Sequence, residues 1–235
     1  MSLPTVRNDL NVLEKSGKII RTFGGAILNE KGDDNGYGRS VLPFSSRLSR
    51  NYNSKVEIGK LAASLVSPFD VIFLDAGTTV FQILKEISSI DHLVVLTNSI
   101  NICTCLMEIP RVSHYLIGGS VKPASMATIG QRTIDEIRRN KVNKVFLGCD
   151  GLSDNGFTVQ DINEAMTKLA MIDIATKRYL LVDTSKINRS TFVDVAGLDV
   201  LDAIITEKGI YYINKRYGEE IRTFFNENVN ENSPG

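Results

Sequence analysis

Hydrophobic positions along this chain follow two regimes. Over Thr5 to Lys15 the apolar residues Val6, Leu10 and Leu13 recur at helical spacing, and Gly17 stands where a helix stops. Lys18 to Leu28 then alternates apolar and polar positions around Gly24-Gly25, which predicts a β-hairpin or wing. Asn29 to Pro43 is polar, rich in Gly and Asp and almost without apolar periodicity, the pattern of a linker. Beyond it, short apolar runs alternate with helical patterns. Strands are predicted at Val71 to Asp75, Leu93 to Thr97, Val112 to Ile117, Lys144 to Cys149, Tyr179 to Asp183 and Ala203 to Thr206. Helices are predicted at Lys55 to Val66, Val80 to Ile87, Ile100 to Met107, Thr133 to Asn140, Ile162 to Thr176 and Lys215 to Phe225. Nearly all the strand runs are continuously apolar rather than alternating, as strands covered by helices on both faces are. The expected architecture is α/β: a doubly wound, mostly parallel sheet over residues 44–235, a linker at 29–43, and a small helix-and-wing segment at 1–28.

Composition narrows the class. A chain of 235 residues, 43% hydrophobic and 23% charged, can bury a core and is unlike a disordered or fibrous sequence. The longest apolar runs, such as Val71 to Leu74 and His92 to Leu96, fall far short of the roughly 20 residues a spanning helix needs, so no membrane partner is expected. Cys103, Cys105 and Cys149 are odd in number, and the first two, two apart on a helix, point in different directions. Reduced structural thiols and a cytoplasmic setting are therefore expected. The formal net charge is zero, so affinity for nucleic acid has to come from a local patch. The front segment offers one: Arg7, Asn8, Asn11, Lys15, Lys18 and Arg21 stand against only Asp9 and Glu14 as acids.

In doubly wound sheets ligands gather beyond the carboxyl ends of the strands, and here those ends are rich in glycine, hydroxyl and acidic residues. Asp75-Ala76-Gly77-Thr78-Thr79 follows the first strand; Gly77 allows close backbone approach, and Thr78 and Thr79 offer hydroxyls and amides at a helix start, where an anion is favoured. Thr97-Asn98-Ser99 repeats the arrangement. Gly118-Gly119-Ser120 leads into a loop with Lys122, Ser125 and Thr128, and Asp150-Gly151 and Asp183-Thr184-Ser185-Lys186 end two more strands. Each has a plainer reading as a tight turn or helix cap; the repetition at successive ends favours one polar rim around a phosphate. Lys168, mid-helix, reads from spacing as a surface lysine paired with Glu164 four residues earlier. Lys186 fits a phosphate or a nearby carboxylate equally. His92 and His114 lack metal-ligand spacing, no Ser-His-Asp arrangement occurs, and neither a metal nor a cofactor is expected.

These residues carry a family resemblance. Thr5-Val6-Arg7-Asn8-Asp9-Leu10, Leu13-Glu14, Gly17 and Gly24-Gly25-Ala26 resemble the recognition helix and wing of DeoR-type winged helix-turn-helix repressors. Arg47 and Lys55 before Ile58, Asp75-Ala76-Gly77-Thr78-Thr79, Thr97-Asn98-Ser99, Gly118-Gly119, Gly130, Asp150-Gly151, Glu164-Ala165 with Lys168, and Asp183-Thr184-Ser185-Lys186 resemble that family's sensor domain, in order, almost throughout. The resemblance implies a fold related to ribose-5-phosphate isomerase and glucosamine-6-phosphate deaminase, a phosphorylated sugar as effector, operator DNA as partner and a homo-oligomeric regulator of sugar metabolism. It moves Lys168 into the pocket beside Asp75, Gly77, Thr78, Thr79, Asn98, Ser99 and Asp150, and assigns DNA contacts to Thr5, Arg7 and Asn8. Asn8 departs from the family's usual second arginine, and Phe23 stands where the family usually has an aromatic polar residue or histidine before the glycine pair, so operator sequence does not follow from the resemblance. Only Met1-Ser2-Leu3-Pro4 precedes Thr5, so the head is expected to be a cut-down one whose DNA binding is impaired. The competing expectation is a sugar-phosphate isomerase or deaminase, because acids and a lysine around a phosphosugar are also what proton transfer requires.

Overall fold

A computed structural model describes residues 3–16, 18–22, 25–28 and 44–213. The expected linker at 29–43 and the expected helix at 215–225 lie outside the described residues. At the front, α1 (Leu3–Lys15) precedes a hairpin of β1 (Ile19–Thr22) and β2 (Gly25–Leu28), paired antiparallel from Ile19↔Leu28 to Thr22↔Gly25. This is the helix and wing that the patterning predicts.

From Phe44 onward the chain winds a central sheet. Two helices, α2 (Phe44–Ser49) and α3 (Tyr52–Ala63), lead into β3 (Val71–Leu74). A 3-10 turn at Val80–Ile83 continues as α4 (Leu84–Ile87), then come β4 (Leu93–Thr97), α5 (Ile100–Leu106) and β5 (Val112–Leu116). A hairpin of β6 (Ser120–Lys122) and β7 (Ala127–Ile129) precedes α6 (Gln131–Arg138) and β8 (Val142–Gly148). The remainder comprises β9 (Gly151–Ser153), β10 (Gly156–Val159), α7 (Ile162–Ile174), β11 (Ala175–Leu181), β12 (Val193–Ala196), β13 (Ala203–Thr206) and β14 (Gly209–Tyr212). The main sheet has seven strands in the order β14-β13-β11-β8-β3-β4-β5, parallel except for β14 at one edge.

Alternate strand residues feed two cores, one on each face. Ile72, Leu74, Phe146 and Leu181 pack with Ile58, Ile83 and Ile102 under α3 to α5. Phe73, Val145, Leu147 and Leu180 pack with Ile134, Ile137 and Met171 under α6 and α7. That two-sided covering is why the strands read as continuous apolar runs.

Three features depart from the sequence reading. The helix expected from Val80 begins as a 3-10 turn, so its amides are less uniformly aligned than those of an α-helical start. The β6–β7 hairpin and a separate antiparallel sheet, β12-β10-β9, occupy stretches that read as loops. Their strands are only three or four residues long, too short for a clear period of two. The edge strand β14 also went unpredicted, because Gly209 and the two tyrosines of Tyr211-Tyr212 give no apolar run.

One topological feature positions the site. The chain lays β3, β4 and β5 outward in one direction, then returns past β3 to lay β8, β11 and β13 in the other. The order reverses between β3 and β8, which opens a crevice beyond their carboxyl ends.

Candidate functional site

Asp75 and Gly148 end the two strands at that reversal, and the Gly148 N–H donates to Asp75 Oδ2 at 2.9 Å. The same oxygen accepts from Lys168 Nζ on α7. Both residues are buried, so the surface-lysine reading of Lys168 is corrected: its partner is Asp75, 93 residues away, and not Glu164. Burial pulls the Lys168 ammonium down, but Asp75, with Glu164 and Asp150 behind it, outweighs burial and holds the pKa above the ordinary lysine value. Burial pushes the Asp75 carboxyl up against the pull of Lys168 and the Gly148 amide. Both directions favour keeping the pair's proton in place.

A narrow cleft is lined by Asp75, Ala76, Asn98, Ala127, Ile129, Glu164, Thr167 and Lys168. Its walls come from the ends of β3 and β4, from β7 and from the first half of α7. Asp161 caps α7 by accepting from the amides of Asn163 (2.8 Å) and Glu164 (3.1 Å), which sets the register that turns Glu164, Thr167 and Lys168 inward. Lys122 on β6 bridges to Asp161 at 3.2 Å and Glu164 at 3.1 Å, tying the hairpin to α7 at the mouth of the cleft.

The Thr97-Asn98-Ser99 turn is occupied with protein partners. Thr97 Oγ1 donates to Leu74 O (2.6 Å) and accepts from Ser99 N (3.0 Å); Ser99 Oγ caps α5 by accepting from Ile102 N (3.3 Å). Asn98 accepts from Ala76 N (3.0 Å) and donates to Thr128 O (3.1 Å), stitching the first strand end to the hairpin. These three side chains build the cleft's frame, with only Asn98 lining it.

Gly77, Thr78 and Thr79 differ. Among the described residues their backbone N–H groups have no hydrogen-bond acceptor, and neither threonine hydroxyl has a partner, although both residues are buried. Thr79 does not cap the following turn with its side chain. Three successive free amides with two free hydroxyls are the donor set an anion requires, next in the chain to Asp75 and Ala76 of the cleft wall although none of the three lines the cleft itself.

The other expected residues sit around this centre. Gly118 and Gly119 are exposed, and the Gly118 carbonyl accepts from Thr133 Oγ1 at 2.9 Å. Asp150 is half-buried and accepts from Gln160 N at 3.2 Å. Lys186 donates to the Cys149 carbonyl at 2.6 Å and is near enough to Asp183 to draw that carboxyl down. On α1, Asn8 is exposed; the side chains of Thr5 and Arg7 lie outside the described residues.

Sequence reasoning missed one grouping. Lys55 is buried and donates to the Arg47 carbonyl. Burial brings its pKa down to about 7; Lys186, Arg47 and Arg50 push the same way and Asp183 opposes them. Asn51 donates to Asp183 and to Ser185, both at 2.9 Å. Arg47 reaches the hairpin, Nη2 donating to Ala124 O at 3.3 Å, and its Nε and Ser125 Oγ are buried without a partner among the described residues. The sequence signal was available in the eight-residue spacing of Arg47 and Lys55 across two helices, but nothing in it tied them to the strand end at Asp183.

The thiols are quiet: burial pushes Cys149 up to about 12 and raises Cys103 and Cys105. Among the described residues no group of three or more His, Cys, Asp or Glu is placed to hold a metal, and no helix is long and apolar enough to cross a membrane.

Residues 50–208 match the DeoR C-terminal sensor domain and residues 1–32 the DeoR-like helix-turn-helix domain. The chain is 34% identical over 208 residues to the HTH-type transcriptional repressor GlcR of Bacillus subtilis, covering 88% of this chain and 78% of that protein. It is 27% identical over 208 residues to the glycerol-3-phosphate regulon repressor of Escherichia coli, covering 88% of this chain and 80% of the other. Among solved structures it is similar to the tetrameric eIF2B-beta2-delta2 complex of C. thermophilum (14% identity, TM-score 0.53, 76% of this chain) and to ribose 5-phosphate isomerase of Plasmodium falciparum (14% identity, TM-score 0.41, 57% of this chain). It spans 61% and 52% of those two chains, less than two thirds of either, and the likeness to the first bears on the fold alone. The relatives matched along most of their length are named as regulators, which sets aside the isomerase or deaminase expectation. The chain belongs to the DeoR family, as a DNA-binding transcriptional regulator and not an enzyme.

Proposed function

We propose that residues 44–235 sense a phosphorylated sugar and that its binding controls how residues 1–28, joined through 29–43, engage operator DNA in a homo-oligomer in the cytoplasm. The observation that carries this reading is the unpaired group at Gly77, Thr78 and Thr79, where three amides and two hydroxyls lie beside a buried ion pair. The amides and hydroxyls take the phosphate; Asp75, Asp150 and Lys168 meet the sugar hydroxyls; Lys122, held by Asp161 and Glu164, places the hairpin at the mouth, and Lys186 adds positive charge at the far wall. Thr97, Asn98 and Ser99 hold the loops in place, and Gly118 and Gly119 let the hairpin turn close to the ligand. Thr5, Arg7 and Asn8 contact DNA, through phosphate and base edge. The name of the glycerol-3-phosphate regulon repressor supports a phosphorylated effector class.

A thermal-shift screen against phosphorylated sugars, their unphosphorylated parents and inorganic phosphate tests the reading, because a ligand of the native state raises the melting temperature. One phosphosugar is expected to stabilise the chain where its parent does not, and Thr78→Val with Thr79→Val to abolish that shift. A folded chain that no phosphorylated compound stabilises, or a shift untouched by the double variant, refutes the assignment.

A further inference from the structure

The main sheet ends at β5 on the side opposite β14. The strand β5 pairs with β4 on one side only. Because the Ile117 N–H donates to Thr97 O, residues 113, 115 and 117 turn their backbone groups toward β4, and His114 and Leu116 turn theirs outward. Neither outward residue has a backbone hydrogen-bond partner among the described residues. The edge lacks the devices that normally blunt one: Val112 to Leu116 contains no charge and no proline, and Tyr115 and Leu116 are exposed at 60% and 42%. Just past the strand a Cβ at Gly118 would meet no atom within 4 Å.

We propose that this edge pairs antiparallel with the same edge of a second copy of the chain, about a two-fold axis at Tyr115, so that two sheets join into one. In that register His114 faces Leu116 of the other copy and the two exchange N–H···O=C bonds, while Tyr115 meets its own counterpart as a non-hydrogen-bonded pair, an aromatic contact of the kind that stabilises antiparallel ladders. Charge fits self-pairing. The facing rows are neutral, and Arg111, which binds Asp91 at 3.1 Å, lies opposite Gly119 of the other copy rather than opposite itself. An isologous two-fold contact uses one patch twice. It also suits a regulator whose heads read paired half-sites, the one point at which the inference rests on the proposed function.

Sedimentation of the full 235-residue chain, with engineered cysteines as rulers, tests it. The wild type is expected to sediment as a dimer or a multiple of one, and Tyr115→Lys with Leu116→Lys to sediment at half that mass with an unchanged circular-dichroism spectrum. Under mild oxidation Tyr115→Cys is expected to form a covalent dimer, because facing Cα atoms of a non-hydrogen-bonded pair lie about 4.5 Å apart, within disulfide reach. Ser113→Cys, displaced by four residues from its own counterpart or roughly 13 Å, is expected not to exceed the wild-type cysteine background. A monomeric wild type overturns the proposal, as does an oligomer that survives the lysine pair or one that crosslinks through Ser113→Cys and not Tyr115→Cys. A phosphosugar thermal shift, read separately on the same samples, reports on the effector site whichever way the mass falls.

Discussion

Replacing Lys168 with methionine isolates the buried pair at the centre of the site. The lysine and aspartate side chains are 6% and 3% exposed, so in the variant Asp75 keeps its bond to the Gly148 amide but loses its counter-charge in a place water hardly reaches. Methionine keeps the unbranched stem and nearly the volume, so packing loss is minor. Removing one partner of such a pair costs about 3–5 kcal/mol, because a stranded buried charge is more unfavourable than no charge at all. For a domain of this size that is a fall in melting temperature of roughly 6–20 °C. The loss depends on pH in a definite direction. Burial raises the Asp75 carboxyl, and without Lys168 to oppose it the folded state binds a proton that the unfolded chain releases more easily; stability of the variant therefore recovers as pH falls through the raised value. Adding Asp75→Asn removes the stranded charge and is expected to restore most of the loss at neutral pH. Urea unfolding of the single and double variants at acid and neutral pH measures all of this. A single variant within about 1 kcal/mol of the wild type, or a double variant no more stable than the single, refutes the account of the pair.

Lys55 gives a second pH effect of known sign. Its folded pKa is brought down to about 7 while the unfolded chain binds that proton up to the ordinary lysine value of 10.5, so stability gains from this group as pH rises through that window. The difference in urea midpoint, wild type minus Lys55→Met, is expected to grow from pH 7 upward; a flat difference contradicts it. The neighbouring glycines make a contrasting pair. At Gly119 φ is +149° and a Cβ would lie 1.9 Å from Thr133 Oγ1, whereas at Gly118 it would meet open space. Gly119→Ala is expected to cost at least about 1–3 kcal/mol of stability by backbone strain and collision, and Gly118→Ala less than about 0.5 kcal/mol. Thermal melts in which the two variants behave alike would show that the turn is not held as described.

Much of the main sheet was legible because its strands are buried on both faces. Val71–Leu74 and Ala203–Thr206 each read as one apolar run, and the intervening helices filled the gaps. What escaped was what periodicity does not report. The β9, β10 and β12 strands are short and carry Gly151 and Gly156, and they are specified by pairing with each other rather than by a pattern within any one of them. For the site, the strand-end residues were visible as a set, but their roles were not. Thr97 and Thr78 look alike in sequence, yet one bonds to Leu74 and Ser99 and the other bonds to nothing described. Lys168 illustrates the limit most plainly. Helical spacing pairs it with Glu164, and only the reversal of strand order between β3 and β8 brings Asp75 within its reach while Lys122 takes Glu164.

That division of partners bears on how such a site tells a phosphosugar from its parent. Lys168 and Asp75 already neutralise one another, and Lys122 is engaged by Asp161 and Glu164, so none of these groups is a free counter-charge for a dianion. The unspent capacity lies in the amides and hydroxyls of Gly77 to Thr79, and amide bonds to an ionised phosphate are stronger than bonds to a neutral hydroxyl. Phosphate affinity should then depend on the backbone geometry that β3 imposes, and the choice among sugars on the orientation of the ion pair and Asp150. The two functions separate by mutation. Thr78→Val with Thr79→Val removes the preference for a phosphorylated over an unphosphorylated ligand, while Asp75→Asn with Lys168→Met leaves phosphate binding in place and alters which sugar is preferred. If the second pair of changes instead abolished the response to inorganic phosphate, the charge on Lys168 would be committed to the anion, and the neutralised-pair argument would fail.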